Sequence, residues 1–216
     1  SRDAVVADIA SLGAHALTGF VSCERWKVDD ASNFGPNLEG QRTTLWGVGA
    51  QDTVTFGAFT VTAGPRFDSH STYGDHWSPR ATVSWLSSDA LWKVRASGGA
   101  GFRAPTIGEL YYPFGGNPDL KPERSRNYEA GIRHALTAHQ SLELSAFQNE
   151  IDDLIDYVVT DFETFAGTNQ NVAEARIRGV EAAWRYGDER WQAHVEAIYQ
   201  QPRDLATDAV LLRRAE

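Results

Sequence analysis

Strict alternation of apolar and polar residues, with charges on one side, constrains this chain more than any other feature. In WKVRASGGAGFR (92–103), Trp92, Val94, Ala96, Gly98, Ala100 and Phe102 share one parity; Lys93, Arg95, Ser97, Gly99, Gly101 and Arg103 share the other. Residues 59–67 divide in the same way, Phe59, Val61, Ala63, Pro65 and Phe67 against Thr60, Thr62, Gly64 and Arg66. In 191–200, Trp191, Ala193, Val195, Ala197 and Tyr199 alternate with Gln192, His194, Glu196, Ile198 and Gln200. A period of two belongs to β-strands. The second face carries Arg66, Arg80, Lys93, Arg95, Glu129, Arg133, Glu143 and Glu196. So many charges cannot line the dry core of a sandwich. They can line a wet lumen or meet a polar plug, so the strands read as apolar outward and polar inward.

About ten strands are expected, near 4–12, 16–26, 43–55, 58–68, 79–87, 91–103, 127–136, 141–157, 174–186 and 191–200. No segment asks for a long helix, although 108–112 and 151–157 could each form one turn. Connections near 13–15, 56–57, 88–90, 137–140 and 187–190 are short; those at 27–42, 69–78, 104–126, 158–173 and beyond 201 are long. Trp85, Trp92, Trp184, Tyr186 and Trp191 adjoin the short turns on the apolar parity, and Phe56 and Phe59 flank another. Short turns at one end, long loops at the other and an aromatic ring between apolar surface and water are features of an antiparallel transmembrane β-barrel. The fold class read from the sequence is therefore all-β: an incomplete set of up-and-down barrel strands. One strand breaks parity. In EARIRGVEAAW (174–184), Arg176 and Arg178 share the parity of Val180, Ala182 and Trp184, and a bulge at Gly179 would restore both faces. Otherwise 174–178 stands beyond the membrane.

Several function classes recede. A net charge of −9 argues against nucleic acid as a partner. The single cysteine, Cys23, excludes an internal disulfide and a multi-cysteine zinc site. No apolar run is long enough for a transmembrane helix. Ser71, His70, Asp75 and His76 are too local to form a catalytic triad, and no nucleophile elbow is present, so no enzyme is expected. His70 and His76 read as solvated loop residues, and no cofactor is expected. Asp29, Asp30, Asn33 and Asn37 offer oxygens but lack the calcium-loop spacing, as do Asp152, Asp153 and Asp156. With Ser1 first and no methionine, the chain is expected to be a piece of a longer protein.

The stretch GFRAPTIGELYYPFGGNPDLKPERSRNYEAGIR (101–133) resembles a segment of TonB-dependent outer-membrane receptors. The matching elements are Phe102-Arg103-Ala104-Pro105, then Gly116-Asn117-Pro118, Leu120, Pro122-Glu123, then Tyr128-Glu129. FDSHSTYGDHWSPRATVSW (67–85), NEIDDLIDY (149–157), EARIRGVEAAW (174–184) and LLRRAE (211–216) are similar to further family segments in the same order. The likeness leans toward the vitamin B12 (cobalamin) receptors on DLIDY, ARIRGVEA and TDAVLLRR; siderophore receptors share such motifs. The resemblance implies a receptor of the bacterial outer membrane that imports a large scarce nutrient, cobalamin or a ferric siderophore. Its implied partners are outer-membrane lipid, a plug domain of the same full-length chain and the TonB complex. The plug and the C-terminal strands are expected to lie outside this chain, leaving 1–216 as barrel alone. A passive porin-like barrel is the rival reading.

Within that picture Tyr111, Tyr112, Phe114 and Asn117 are the candidate ligand contacts, because aromatics and an amide match a large flat ligand. Pro105, Pro113, Pro118 and Pro122 restrict their loop, and Glu123, Arg124 and Arg126 are expected to tie its base. Arg66, Arg80, Arg95, Arg133 and Glu196 are the candidate plug-facing lumen charges.

Overall fold

A computed structural model describes residues 2–33, 35–205 and 207–210. LLRRAE (211–216) lies outside the described residues. The elements are β1 (Arg2–Leu12), β2 (His15–Ser32), β3 (Gly35–Phe56), β4 (Phe59–Gly64), β5 (Arg66–His70), β6 (Gly74–Trp77), β7 (Arg80–Leu86), β8 (Trp92–Arg103), α1 (Ile107–Tyr111), β9 (Glu123–Thr137), β10 (Gln140–Asp161), β11 (Ala166–Gly187) and β12 (Gln192–Asp204). Ten strands form one antiparallel meander in the order β1-β2-β3-β4-β7-β8-β9-β10-β11-β12, with β5 pairing β3 and β6.

The segment expected as one strand over 58–68 divides at Pro65 into β4 and β5. Pro65 stands level with Pro79: Gly64 pairs with Arg80 on one side of this rung, and Arg66 and Ser78 exchange backbone hydrogen bonds of 3.2 and 2.8 Å on the other. Neither proline has an N–H, so the rung has no donor of its own. Beyond it β6 pairs only with β5 among the described residues, and it does not join the β8 ladder.

Three of the expected long loops are hairpin extensions. β2 and β3 remain paired out to Ser32 and Gly35. β5 and β6 fill most of 69–78, and β10 and β11 run on to Asp161 and Ala166. These polar ends hide their strand character because no apolar face imposes alternation, yet their backbone groups still need partners. The Asp29–Asn37 oxygens serve the same hairpin: Asp29 Oδ1 accepts from Gly40 N at 2.7 Å and Asp30 Oδ2 from Asn37 Nδ2 at 2.9 Å. Among the described residues the connection 104–122 is irregular, and α1 lies within it.

Register settles the faces. Val94, Ile132, Leu144, Ala182 and Ala197 lie side by side across β8–β12, as do Trp92, His134, Leu142, Trp184 and Val195. None of the seven tryptophans is buried. The apolar side is an exposed sheet of large side chains, which water would disfavour at such extent and lipid would not. Phe59 neighbours Trp85, Phe56 stacks on Phe59 at 5.8 Å, and Trp92 stacks on His134 at 3.9 Å, forming the expected belt by the short turns. A second aromatic group stands toward the long-loop end: Trp46, the Phe67–Trp77 pair at 5.1 Å, Tyr128 and Tyr199. On β3, Phe56 and Trp46 are about ten residues apart, roughly 33 Å of strand, which at a tilt of about 45° covers close to the apolar height of an outer-membrane barrel.

The bulge expected at Gly179 is absent. Phe147 pairs with Gly179 and Gly179 with Gln200 in unbroken ladders. Gly179 instead makes room for the Phe147 ring, since a Cβ there would stand 2.7 Å from Phe147 Cζ and 2.5 Å from the Tyr199 carbonyl oxygen. The irregularity lies on β10, where pairing shifts between Ile151 and Leu154 and Asp153 has φ 58°. Arg176 and Arg178 therefore do share a face with Val180, beyond the last apolar row.

A braced loop over the polar wall: candidate ligand-binding site

The loop 104–122 begins with its own local order. Thr106-Ile-Gly-Glu109 is a capping box: Thr106 Oγ1 accepts from Glu109 N at 3.2 Å, and Glu109 Oε2 accepts from Thr106 N at 2.7 Å. This starts α1, which buries Ile107 and Leu110. Leu110, Leu120 and Ile155 form the buried apolar cluster, with Tyr73 packed against it. The loop thus bridges the β5–β6 and β10–β11 hairpins.

Asparagines fasten its far side to β10–β11. Asn171 Nδ2 donates to the Lys121 carbonyl at 3.0 Å and the Asp153 carbonyl at 2.7 Å, while its Oδ1 accepts from Lys121 N at 2.9 Å. Asn169 N donates to the Gly115 carbonyl at 2.8 Å, and Asn169 Nδ2 to the Glu109 carbonyl at 3.2 Å. Gly115, at φ 104°, lies against Tyr157, whose ring leaves no room for a Cβ. At the loop base Arg103 contacts both Glu109, at 3.0 Å, and Glu123, at 2.7 Å. Burial pushes both carboxyls up, but Arg103 together with the N–H donors of Thr106 and Ile155 outweighs it and holds them below the usual range. Arg103 is raised in turn, chiefly by its hydrogen bonds to Glu123.

Beneath the loop, on the polar face, lies a cavity of about 560 Å³ walled by Trp26, Leu45, Phe102 and Pro105, with Arg66, Asp68 and His70 also lining it. Asp68 and His70 are only 3% and 7% exposed. Arg66 holds Asp68 at 2.6 Å. His70 is a buried cap rather than a solvated loop residue: its Nδ1 accepts from Thr72 N and Tyr73 N at 3.1 and 3.3 Å, leaving Nε2 to donate to Thr43 Oγ1 at 2.9 Å. His76 stacks on Phe102 at 4.0 Å.

The candidate ligand contacts divide by environment. Tyr111, Tyr112 and Phe114 are 41%, 39% and 77% exposed, and Tyr112 meets Phe114 edge-on at 6.3 Å. Asn117 is occupied in the brace, donating from Nδ2 to the Asn169 carbonyl at 2.8 Å and accepting from Asp119 N at 3.0 Å. Of the residues expected to tie the base, Glu123 does so and Arg126 reaches Asp152 at 3.5 Å. Arg124 has no ion pair among the described residues and faces the apolar side. The ties that sequence reasoning missed are Arg103, Glu109, Asn169 and Asn171; the Thr-x-x-Glu spacing was a readable signal for Glu109. Phe162 and Phe165, at the β10–β11 tip, are further exposed aromatics.

Arg66, Arg80, Arg95, Arg133 and Glu196 all lie on the polar face by register. Arg95 joins Glu129 at 2.7 Å and Glu143 at 3.1 Å, and Arg185 joins Glu143 at 2.8 Å, linking four strands.

Residues 15–210 match the family described as TonB dependent receptor-like, beta-barrel. The chain is 38% identical over 156 residues to the vitamin B12 transporter BtuB of Vibrio vulnificus, covering 72% of this chain and 25% of that protein. It is 30% identical over 195 residues to BtuB of Photobacterium profundum, covering 88% and 32%. The chain thus spans a quarter to a third of the curated relatives it matches. The siderophore receptor PirA of Pseudomonas aeruginosa superposes with a TM-score of 0.74 at 20% identity, covering 92% of this chain and 39% of PirA. A meander with an apolar outer face and a charged inner one, matched over nearly its whole length, leaves one conclusion: the chain belongs to the TonB-dependent receptor β-barrel family.

Proposed function

We propose that this chain is a section of the barrel wall of a bacterial outer-membrane receptor, which captures a large scarce nutrient and imports it with energy from the TonB system. Cobalamin is the favoured cargo. The observation that carries this choice is the 38% identity to a protein named a vitamin B12 transporter; the likeness to the siderophore receptor PirA, at 20% identity, speaks to fold alone. In this reading the short turns face the periplasm and the braced loop stands outside the cell. Tyr111, Tyr112 and Phe114 offer apolar faces to the cargo, and Asn117 acts chiefly by holding the loop that presents them. Arg66, Arg80, Arg95, Arg133 and Glu196 face a plug domain of the same full-length protein. The work is binding and gating, without covalent chemistry.

The test is equilibrium binding of cyanocobalamin and of ferric enterobactin to the full-length receptor in detergent. Tight binding of the corrin alone is expected, with Tyr112→Ala and Phe114→Ala each weakening it by about tenfold. Binding of the ferric chelate alone reverses the cargo assignment. Ion conductance without saturable binding of either supports a passive barrel.

A further inference from the structure

We propose that His70 is a proton-operated latch: its neutral ring closes the tip of the β5–β6 hairpin, and a proton on Nδ1 lets this flap lift and open one wall of the cavity beneath the loop. The inference stands on the geometry of the flap and needs neither the cargo nor the plug. With the short turns in the periplasm, the flap stands outside the cell and takes its proton from the surrounding medium.

The flap is held along one edge. Its ladder to β3 runs from Leu45 and His70 to Gly49 and Arg66, and among the described residues β6 has no ladder to β8. The tip depends on His70. Nδ1 accepts from Thr72 N and Tyr73 N at 3.1 and 3.3 Å, and Nε2 meets Thr43 Oγ1 of β3 at 2.9 Å. A ring nitrogen that accepts from N–H groups carries no proton. Protonation sets a further donor against these two amides, and both turn bonds are lost. The tip has a second attachment, the packing of Tyr73 on the Leu110–Leu120–Ile155 cluster. There the Tyr73 hydroxyl is buried without a hydrogen-bond partner, a cost that water relieves when the flap lifts. Arg66, Asp68 and His70 line the cavity, so movement of the flap opens it.

The surroundings of His70 favour the neutral ring. On β5, Asp68 is held by Arg66 at 2.6 Å, and Glu24 on β2 acts on the same Arg66. Glu109 on α1 is held by Arg103 at 3.0 Å. Arg42 on β3 and Asp75 on β6 have the opposite parity. The Tyr73 ring lies 5.2 Å away, and its phenol is raised by burial and stays neutral. His76 on β6 brings a second base. Burial first, and His76 second, hold the His70 imidazole below its ordinary value of 6.5. The closed flap therefore has its full stability above about pH 6.5 and loses it as pH falls through the lower, folded value. The loop 104–122 has braces of its own at Arg103 and Asn171, so the flap opens first and alone.

The full-length receptor in lipid nanodiscs is followed by hydrogen exchange and mass spectrometry, as protection factors with the intrinsic pH dependence divided out. Between about pH 7.5 and about pH 5, protection over 71–77 should fall by about tenfold, while 104–122 and the β9–β10 ladder stay level. This comparison needs no variant. His70→Asn keeps an acceptor for the Thr72 and Tyr73 amides, as in an Asx turn, and has nothing to protonate; it should flatten the step. His76→Gln removes the other imidazole of the flap and should keep the step. Flap protection indifferent to pH, a step that survives His70→Asn or vanishes in His76→Gln, or a step of equal size over 104–122 overturns the proposal.

Discussion

Arg103 grips Glu123 with a two-pronged hydrogen bond, Nη2 to Oε1 at 2.7 Å and Nε to Oε2 at 2.8 Å, closing the loop at its base. The same Glu123 oxygen, Oε1, accepts from Ile155 N at 2.9 Å. One ion pair thereby ties both ends of the loop to the β10–β11 hairpin.

This arrangement fixes a pH dependence. Glu109 and Glu123 sit below their ordinary value of 4.5 in the folded loop. Their contribution is fully present above that value and is lost as pH falls through the lower, folded values. Protection factors for amide exchange in residues 104–122, with the intrinsic pH dependence of exchange divided out, should be steady from about pH 7 to about 4.5 and fall below it. Arg103→Gln should quicken exchange at neutral pH and flatten the acid step; because Arg103 is partly exposed, the effect should be modest. An acid step of undiminished size in that variant would remove the explanation.

Asn171 makes three hydrogen bonds that bind the loop to β10–β11. Asn171→Ala should weaken that attachment by about 2–3 kcal/mol, seen as faster limited proteolysis within 104–122 while the β9–β10 ladder stays protected. Unchanged cleavage would show that the Leu110–Leu120–Ile155 cluster suffices alone.

Glycines on the polar face should differ sharply in tolerance. A Cβ on Gly64 would stand 2.1 Å from the Ala50 carbonyl oxygen, a backbone atom with nowhere to move; on Gly131 the nearest atom is Arg95 Nε at 3.0 Å, part of a flexible side chain. Gly64→Ala should destabilise the barrel by about 2–3 kcal/mol, and Gly131→Ala by under about 1 kcal/mol. Urea midpoints of the refolded full-length protein in micelles compare them directly, and equal midpoints would refute the distinction.

Arg95→Glu would gather three carboxylates where Arg95 now holds Glu129 and Glu143. Assembly yield or uptake rate should fall while cargo affinity holds. Normal uptake with lost affinity would instead place Arg95 at the ligand.

The sequence disclosed what lipid enforces. Across Trp92–Phe102 the demand for an apolar outer face writes a period of two directly into the residues, and the tryptophans mark where that demand ends. Beyond the apolar band the demand lapses, so 27–42 and 158–173 read as loops although 27–32 pairs with 35–42 and 158–161 with 166–168 as strands. Gly179 was misread because parity was expected to hold along the whole strand, whereas Arg176 and Arg178 had already left the apolar zone. Within the candidate site, the aromatic content of Tyr111–Phe114 was legible. Its fastening by Asn169 and Asn171 was not, because side-chain-to-backbone bonds between segments about 50 residues apart leave no local pattern.

The facing prolines, Pro65 and Pro79, have a mechanical consequence. A β-sheet resists shear through its ladder of hydrogen bonds, and this rung supplies none of its own. The β5–β6 flap beyond it is held by β3 along one edge and has no ladder to β8 along the other. Strain crossing the wall will therefore concentrate on this line, as a sheet of paper folds along its crease, and the links that cross from the flap are side chains alone: His76 on Phe102 and Tyr73 on the Leu110–Leu120–Ile155 cluster.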